Sequence, residues 1–539
     1  MTKAGTCGLR DVGTGMLPAM EEYDYVVVGG GSAGCVLAAR LSEDPSITVC
    51  LLEAGPSDVD DEKILRLERW PQLLGSGYDW DYTIEPQANG NSFVRHARGK
   101  MLGGCSSHNS CIAFWPPRED LDEWAAVGCA GWGADECWPL LARLENNDGP
   151  GNHHGRSGPV MLRQIPPRDP CGLAVLTAAA AVGLPTVRFN EGVTVTEGAG
   201  FFQINADGDN IRRSSSRSYL HPIISERRNL AVRTHAWAKQ VLFNGARKAT
   251  GVEYLDCETL RYRTAHARAE VILCAGAIES PKLLMLSGIG PARHLREVGI
   301  DVLVDNPAVG ANLDDHVEGL VMWEASRPMV TRSTQWWEIG LFTRINPGGD
   351  RPDLMMHYGS VPFDLNTVRW GYPTTSNGFC LTPNVSRGRS RGTVRLRSRD
   401  FRDRVKLDPR YLSDSQGHDI AVLLHGITLA RRIAAQPALR DWITRELTPG
   451  ADAVTPEELS DYLRKTHNTV YHPAGTARMG APDDPGAVLD PQLRVKGVTG
   501  LRVADASIMP FLPAVNPNIT IMMIGEKASD LIAEDAAQR

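Results

Sequence analysis

The sequence predicts an α/β protein of two domains, one built on a largely parallel sheet assembled from distant segments and the other an α+β domain with an antiparallel sheet. Three observations predict it. A complete strand–helix–strand unit occupies residues 23–55, further buried strands end in small or acidic residues near 274 and 505, and polar and apolar side chains alternate in strands between them. A chain of 539 residues is long enough for both domains.

The strand–helix–strand unit carries the pattern of a dinucleotide site. The apolar run 26–28 leads into Gly29, Gly31 and Gly34 at G-x-G-x-x-G spacing, and the second strand ends at Glu53. Glycines there permit a tight turn and let a pyrophosphate approach the helix N-terminus, while an acid roughly 20 residues later accepts hydrogen bonds from ribose hydroxyls. An acid without a basic neighbour disfavours NADP. The alternative is a glycine-rich structural turn in a domain without ligand.

Two later segments extend the same domain. Residues 270–290 (EVILCAGAIESPKLLMLSGIG) and 499–510 (TGLRVADASIMP) each read as a buried strand that leads into a small residue or Asp505. Strand ends that are early, central and late in the chain predict one domain made from distant parts, with the intervening chain as the second domain. The expected boundaries are residues 1–167, 208–317 and 470–539 for the first domain and 168–207 and 318–469 for the second.

The second domain is expected to contain strands at 352–360 and 391–399. In the latter, RGTVRLRSR, arginines alternate with Val394 and Leu396, which predicts a sheet with one solvated face. A nucleic-acid-binding patch is the weaker interpretation, because acidic residues such as Asp400 lie among the arginines.

Bulk composition excludes several classes of protein. Hydrophobic residues make up 42%, charged residues 22% and the net charge is -7, so neither nucleic acid nor a membrane surface is indicated as a partner. Eleven cysteines without a C-x-x-C pair, two of them (Cys50 and Cys274) in apolar strands, indicate reduced thiols and a cytoplasmic protein. The apolar stretch 171–184 is too short to span a bilayer and predicts a buried helix. Residues 1–20 lack the apolar core of a signal peptide and read as a loose leader. No metal site is predicted.

The motifs together resemble those of the glucose-methanol-choline (GMC) oxidoreductases. The resemblance covers essentially the whole chain from Tyr23 and rests on the unit at 23–55, GKMLGGCSSHN at 99–109 and GAIESPKLLMLSGIG at 276–290. It implies an FAD-binding Rossmann-like domain assembled from distant segments and a substrate-binding domain. Segments from both domains are most similar to the choline-oxidising members: SGYDWDY (76–82), GGCSSHNSCIAFW (103–115), STQWWEIG (333–340), RPDLMMHYGSVPFD (351–364) and KTHNTVYHPAGT (465–476).

The resemblance implies an FAD-dependent alcohol oxidase. Choline would be oxidised to betaine aldehyde and then, as the hydrate, to glycine betaine, with hydride transfer to FAD and reduction of oxygen to hydrogen peroxide. It also suggests a homodimer. The alternatives are a choline dehydrogenase with another electron acceptor, a GMC oxidase of a different primary alcohol, a hydroxynitrile-type lyase on the same fold and a nicotinamide-dependent dehydrogenase.

Residues that would hold FAD are assigned by the same resemblance. His108, in the small and polar stretch GGCSSHNSCI, matches the histidine that carries the flavin covalently in choline-oxidising members; read alone it would be an ordinary loop histidine. The other expected cofactor residues are Gly29, Gly31, Ser32, Gly34, Glu53, Gly103, Gly104, Ser107, Asn109, Cys111, Val241, Asp505, Asn516 and Pro517.

Four residues are expected to carry the chemistry. Removal of a hydroxyl proton needs a base and polar groups that stabilise an alkoxide. By the resemblance, His472 in VYHPAGT is the main base, Asn516 its polar partner, His357 positions the alcohol and Ser110 lies beside the substrate oxygen. Without the resemblance, these would be loop, turn and core residues.

A cation that has no N–H donor must be held by a carboxylate and by aromatic faces. Glu318 matches the carboxylate that faces the trimethylammonium group in choline-oxidising members. Gln72 is a departure, since the resemblance leads us to expect an acidic residue at that position. The expected aromatic wall consists of Trp70, Trp337, Phe363 and Tyr471.

Overall fold

The computed structural model describes residues 21–151, 153–192, 195–329, 333–345 and 348–538, so the predicted leader lies outside the described residues. Its α-helices are α1 Ser32–Leu41, α2 Glu62–Leu65, α3 Arg118–Ala126, α4 Ala134–Leu144, α5 Pro170–Ala181, α6 Gly276–Leu286, α7 Ala292–Glu297, α8 His418–Ala434, α9 Pro456–Thr466 and α10 Asn518–Ala537.

Its strands are β1 Glu21–Val28, β2 Val49–Leu52, β3 Tyr82–Thr83, β4 Arg95–His96, β5 Ile112–Ala113, β6 Glu145–Asn147, β7 Val160–Gln164, β8 Gly198–Phe201, β9 Gln203–Ile204, β10 Leu230–Arg233, β11 Ala236–Phe243, β12 Ala249–Asp256, β13 Arg261–Leu273, β14 Ile289–Gly290, β15 Val304–Asp305, β16 Val317–Glu318, β17 Val321–Ala325, β18 Trp337–Thr343, β19 Leu354–Gly359, β20 Gly378–Val385, β21 Thr393–Arg395, β22 Lys406–Asp408, β23 Ile443–Thr448, β24 Asn468–Thr469 and β25 Leu501–Val503.

The first sheet confirms that one domain is assembled from distant segments. Its strands run in the order β10-β2-β1-β13-β12-β11, and β25 pairs with the far end of β13. The pairs β10–β2, β2–β1, β1–β13 and β13–β25 are parallel. Successive apolar side chains such as Val26 and Val27 are both buried, as expected for a parallel sheet that is covered on both faces. The helix α1 follows β1 directly, as the glycine pattern predicts.

The second sheet is antiparallel and contains β23-β17-β20-β19-β18-β8, with β16 joining β20 to β24. The helix α8 packs against β20, and the predicted helix at 171–184 is α5, which is buried on one face only and leaves Leu173 exposed. The predicted strand at 352–360 is β19. The predicted strand at 391–399 is shorter: β21 pairs only with β22, outside this sheet, although Val394 and Leu396 are buried as the alternation predicts.

The strands of the two sheets fall on opposite sides of the predicted domain boundaries, apart from β16, which spans the boundary at 317 and 318. The boundaries themselves stay a prediction. Among the described residues, none of the helices has the length and apolar character that crossing a membrane requires.

Candidate active site

One large cavity lies where the two sheets meet and encloses about 1920 Å³ of empty space including its mouth. Most residues predicted from the sequence lie on its wall. The predicted residues that line it are Gly29, Gly31, Ser32, Glu53, Trp70, Gly104, His108, Asn109, Ser110, Glu318, Trp337, His357, Phe363, Tyr471, His472, Asp505, Asn516 and Pro517.

Some predicted cofactor residues lie behind this wall. A Cβ at Gly34 would come within 1.9 Å of the Gly29 carbonyl oxygen, so this glycine serves the packing of α1 against its turn. Arg212 donates to the Cys111 sulfur at 3.1 Å, and the Val241 amide donates to the Ser287 hydroxyl at 2.9 Å. The predicted residues absent from the cavity wall are Gly34, Gly103, Ser107, Cys111 and Val241. Gln72 is exposed and likewise does not line the cavity.

The glycine turn between β1 and α1 fits a dinucleotide. Gly29 has φ +102°, and a Cβ there would lie 2.5 Å from the Cys274 carbonyl oxygen, so β1 and β13 approach each other closely only with glycine. A Cβ at Gly31 would meet no protein atom closer than 3.8 Å, so the space beside this glycine, at the N-terminus of α1, is open to the cavity. A helix N-terminus with space before it suits a pyrophosphate.

Glu53 lies at the end of β2, on the same wall. Its carboxylate accepts hydrogen bonds from the amides of Gly30 at 2.9 Å and Gly55 at 2.8 Å. Burial raises the pKa of Glu53 to about 7. A carboxylate that is held by two backbone amides beside the glycine turn fits the ribose-binding position of a dinucleotide site.

Two chain segments, 314–318 and 468–474, contribute Glu318 and His472 to the cavity wall. They run antiparallel, with Glu318 opposite Asn468 in the pairing of β16 with β24. The Val470 amide donates to the His316 carbonyl at 2.9 Å, which extends the pairing past the end of the strands. Side chains from one segment therefore contact those of the other, and the two segments together place both Glu318 and His472 at the cavity.

His472 is connected to His316 and Asn516. Its Nδ1 lies 2.9 Å from Nδ1 of His316, and its Nε2 lies 3.4 Å from the Asn516 amide nitrogen. The Nε2 atom of His316 lies 3.1 Å from the Ser386 carbonyl, which can only accept, so this nitrogen carries the proton. His316 Nδ1 is then an acceptor, the His472 proton sits on Nδ1, and His472 Nε2 is unprotonated and accepts from the Asn516 side-chain amide.

His472 and His357, which both line the cavity, are neutral bases. Burial lowers the pKa of His472 well below its ordinary value, and the neighbouring His316, His357 and Arg98 lower it further. Burial also lowers the pKa of His357 to about 4. Nδ1 of His357 lies 3.3 Å from the Asn384 amide nitrogen. At neutral pH, both rings therefore lack a positive charge and can accept a proton.

Glu318 is a buried carboxyl group on the same wall. Its Oε1 accepts a hydrogen bond from the Asn468 side chain at 3.1 Å, and burial raises its pKa to about 8. The rings of Trp337 and Phe363 meet edge to face with centroids 5.2 Å apart. Because a cation beside it would favour the ionised carboxyl, this wall fits a cationic group next to aromatic rings.

His108 lies in the turn that follows the short helical segment 104–107 and lines the cavity. Its Nε2 is buried, is 3.8 Å from an Asp79 carboxylate oxygen and has no hydrogen-bond partner among the described residues. Burial lowers the pKa of His108 to about 4, although Asp79 opposes this shift. A neutral imidazole with an unpartnered nitrogen at the cavity is available as a nucleophile toward a bound group.

Sequence reasoning missed three residues of this site: Asp315, His316 and Asn468. All three lie in DDHVEGL and KTHNTVYHPAGT, beside residues that were singled out. The signal that could have found them is the pairing of these two segments, which a single sequence does not contain.

Known proteins resemble this chain over most of its length. Residues 23–318 match the N-terminal part and residues 388–525 the C-terminal part of the GMC oxidoreductase family. The chain is 62% identical to "Choline oxidase" of Arthrobacter globiformis over 95% of this chain and 94% of that one. It is 36% identical to "Choline dehydrogenase, mitochondrial" of Homo sapiens over 97% and 92% of the two chains. Among solved structures, pyridoxine 4-oxidase from Mesorbium loti superposes with a TM-score of 0.88 at 32% identity, covering 95% and 99% of the two chains.

Proposed function

This chain belongs to the GMC oxidoreductase family, and we propose that it is an FAD-dependent choline oxidase. The observation that carries the proposal is that one cavity combines a neutral imidazole, His472, with a buried carboxyl group, Glu318, among aromatic rings. The 62% identity to a choline oxidase supports the same substrate. A base and a cation site in one cavity are what oxidation of a quaternary amino alcohol requires.

FAD, when bound, accepts the hydride that leaves the alcohol carbon. The turn at Gly29 and Gly31 would hold its pyrophosphate, and Glu53 a ribose. His108 would attach it covalently through the unpartnered Nε2. The fit of these groups rests on the open space at Gly31 and on the buried, unpaired nitrogen of His108.

His472 takes the hydroxyl proton of the substrate at Nε2. Asn516 donates a hydrogen bond from its amide to the oxygen that becomes an alkoxide, and its own oxygen has no partner among the described residues. His357 and Ser110 line the same cavity and orient the alcohol. These groups lower the barrier because they stabilise charge that develops only as the proton leaves.

Glu318 binds the trimethylammonium group, with Trp70, Trp337, Phe363 and Tyr471 around it. Asn468 keeps the carboxylate in place through the bond at 3.1 Å. The product betaine aldehyde keeps the cation, so its hydrate can occupy the same site and undergo a second oxidation to glycine betaine.

Oxygen is the proposed electron acceptor, with hydrogen peroxide as the product. The second candidate is a choline dehydrogenase that uses another acceptor, which the 36% identity to a mitochondrial choline dehydrogenase favours less strongly. Free cysteines such as Cys50 and Cys274 support the cytoplasm as the location, and a homodimer stays a prediction.

The test is oxygen uptake by the purified protein with choline and, in parallel, with its uncharged isostere 3,3-dimethylbutan-1-ol. Rapid uptake that favours choline is expected. Anaerobic bleaching of the flavin by choline without oxygen uptake would instead identify a dehydrogenase, and no reaction with choline would show that choline is not the substrate.

A further inference from the structure

Asp315 is a buried carboxylate directly behind His472 and does not line the cavity. Its Oδ1 accepts a hydrogen bond from the His472 backbone amide at 2.9 Å. Its Oδ2 accepts from the Thr469 hydroxyl at 2.6 Å and from the Tyr411 hydroxyl. One side chain thus connects the first of the two paired segments to the backbone of the proposed base.

Thr469 extends this connection to the residue before His472. The Thr469 hydroxyl oxygen accepts a hydrogen bond from the Tyr471 amide at 2.7 Å. Tyr471 has φ +65°, in the left-handed region that residues with a side chain rarely adopt. Such a conformation persists only when surrounding contacts hold it, and here Asp315 and Thr469 hold both amides of the turn.

The charge of Arg98 favours the ionised form of Asp315, but the atoms that contact this carboxylate belong to hydrogen-bond donors rather than to an ion-pair partner. His96 lies with Nε2 3.6 Å from Oδ2, but burial lowers the pKa of His96 to about 3, so this ring is neutral. The same nitrogen lies 2.7 Å from the Tyr411 oxygen. The carboxylate is therefore satisfied by hydrogen-bond donors, and the ones that matter for the site belong to residues 469 and 472.

We propose that Asp315 is a positioning residue that holds the Tyr471–His472 turn so that Nε2 of His472 meets the substrate hydroxyl. Asp315 touches neither substrate nor cofactor and acts only through His472. The proposal rests on the proposed function for the identity of the base and the substrate. Because Glu318 is held by Asn468 instead, loss of Asp315 should affect turnover more than choline binding.

The experiment compares Asp315→Ala with Asp315→Asn in the flavin-loaded enzyme. Asparagine keeps an oxygen for the His472 amide and presents its NH₂ to two hydroxyls that can accept, so it should retain kcat within about tenfold of the unmodified enzyme. Alanine removes the hydrogen bonds that Asp315 accepts from the His472 amide and from the hydroxyls of Thr469 and Tyr411. A base displaced by about 1 Å loses on the order of 10²-fold in rate, so Asp315→Ala should lower kcat by about that factor while KM for choline changes less than about threefold.

Asp419→Ala is the matched control. Asp419 is another buried carboxylate that accepts from two backbone amides, those of Arg389 and Ser390, at 2.8 and 3.0 Å, but it does not line the cavity. Its loss should lower the melting temperature and leave kcat unchanged. If Asp315→Ala fails to fold, Thr469→Val serves instead, because it removes the hydroxyl that bonds both Asp315 and the Tyr471 amide. This variant should still lower kcat several-fold with flavin content intact.

Three results would overturn the proposal: a kcat of Asp315→Ala within threefold of the unmodified enzyme, a folded Thr469→Val with unchanged kcat, or an Asp315→Asn variant as impaired as Asp315→Ala, which would mean that charge and not position matters. The unmodified enzyme is assayed first with choline and with other primary alcohols. If choline is not its substrate, the proposed function fails, and the variants are compared with the alcohol that does reduce the flavin.

Discussion

His472 and His316 contact each other through their Nδ1 atoms at 2.9 Å, and this contact fixes which nitrogen of His472 is unprotonated. The protonation of both rings depends on the Ser386 carbonyl, which accepts a hydrogen bond from Nε2 of His316 at 3.1 Å. That bond makes His316 Nδ1 an acceptor, so His472 must carry its proton on Nδ1. The tautomer of the proposed base is therefore set by a carbonyl that touches neither the base nor the cavity.

Removing the His316 ring, which accepts from Nδ1 of His472, should allow His472 to change tautomer. In His316→Leu, the His472 proton can move to Nε2, where it blocks proton removal, so kcat should fall by about 10²-fold or more, as expected when a general base is lost. Steady-state kinetics of the single variants and of His316→Leu/His472→Ala measure it. The double variant should be no slower than His472→Ala; if the two losses multiply, the residues act independently.

His472→Ala should lower turnover of choline by at least about 10²-fold, because it removes the proposed base and a partner of the alkoxide. The flavin content should stay the same, since His472 is not among the residues proposed to hold the cofactor. Flavin absorbance per protein and kcat, measured on the same preparation, separate the two effects. A turnover close to that of the unmodified protein would remove His472 from this role.

His108→Ala should abolish covalent attachment of FAD, while the variant protein should still bind FAD without a covalent bond. The unpartnered Nε2 is the atom that would form the bond, and alanine offers no replacement. The mass of the acid-denatured protein measures attachment: the unmodified protein should retain the mass of the flavin and the variant should lose it. An unmodified protein that releases all its flavin on denaturation would contradict the assignment.

The sequence predicts those parts of the fold and the site that depend on neighbours along the chain. Gly29, Gly31 and Glu53 belong to one local unit, and the geometry of strand, turn and helix places them without further information. The contact between Asp315 and the His472 amide joins residues 157 positions apart, and it exists only because two segments pair in one register. Single-sequence patterns contain no such register, which is why His316 and Asn468 were missed although their neighbours were singled out.

Glu318→Gln should raise KM for choline steeply and affect 3,3-dimethylbutan-1-ol much less. The substitution keeps the shape and the bond to Asn468 but removes the charge that a quaternary ammonium requires. KM values for both alcohols with the variant and the unmodified protein give the comparison. Equal losses for the two alcohols would exclude Glu318 from the cation site.

The raised pKa of Glu318 predicts a pH dependence that is specific to the charged substrate. In the free site, burial places this pKa at about 8, so the carboxyl is mostly neutral at pH 6 and mostly ionised at pH 9. A cation binds the ionised form, so kcat/KM for choline should rise by about tenfold per pH unit below pH 8 and level off above it. Titration of His472 affects both alcohols alike, so the ratio of kcat/KM for choline to that for 3,3-dimethylbutan-1-ol isolates Glu318. This ratio should become flat with pH in Glu318→Gln, and a ratio that is already flat in the unmodified protein would show that the carboxyl does not titrate when choline binds.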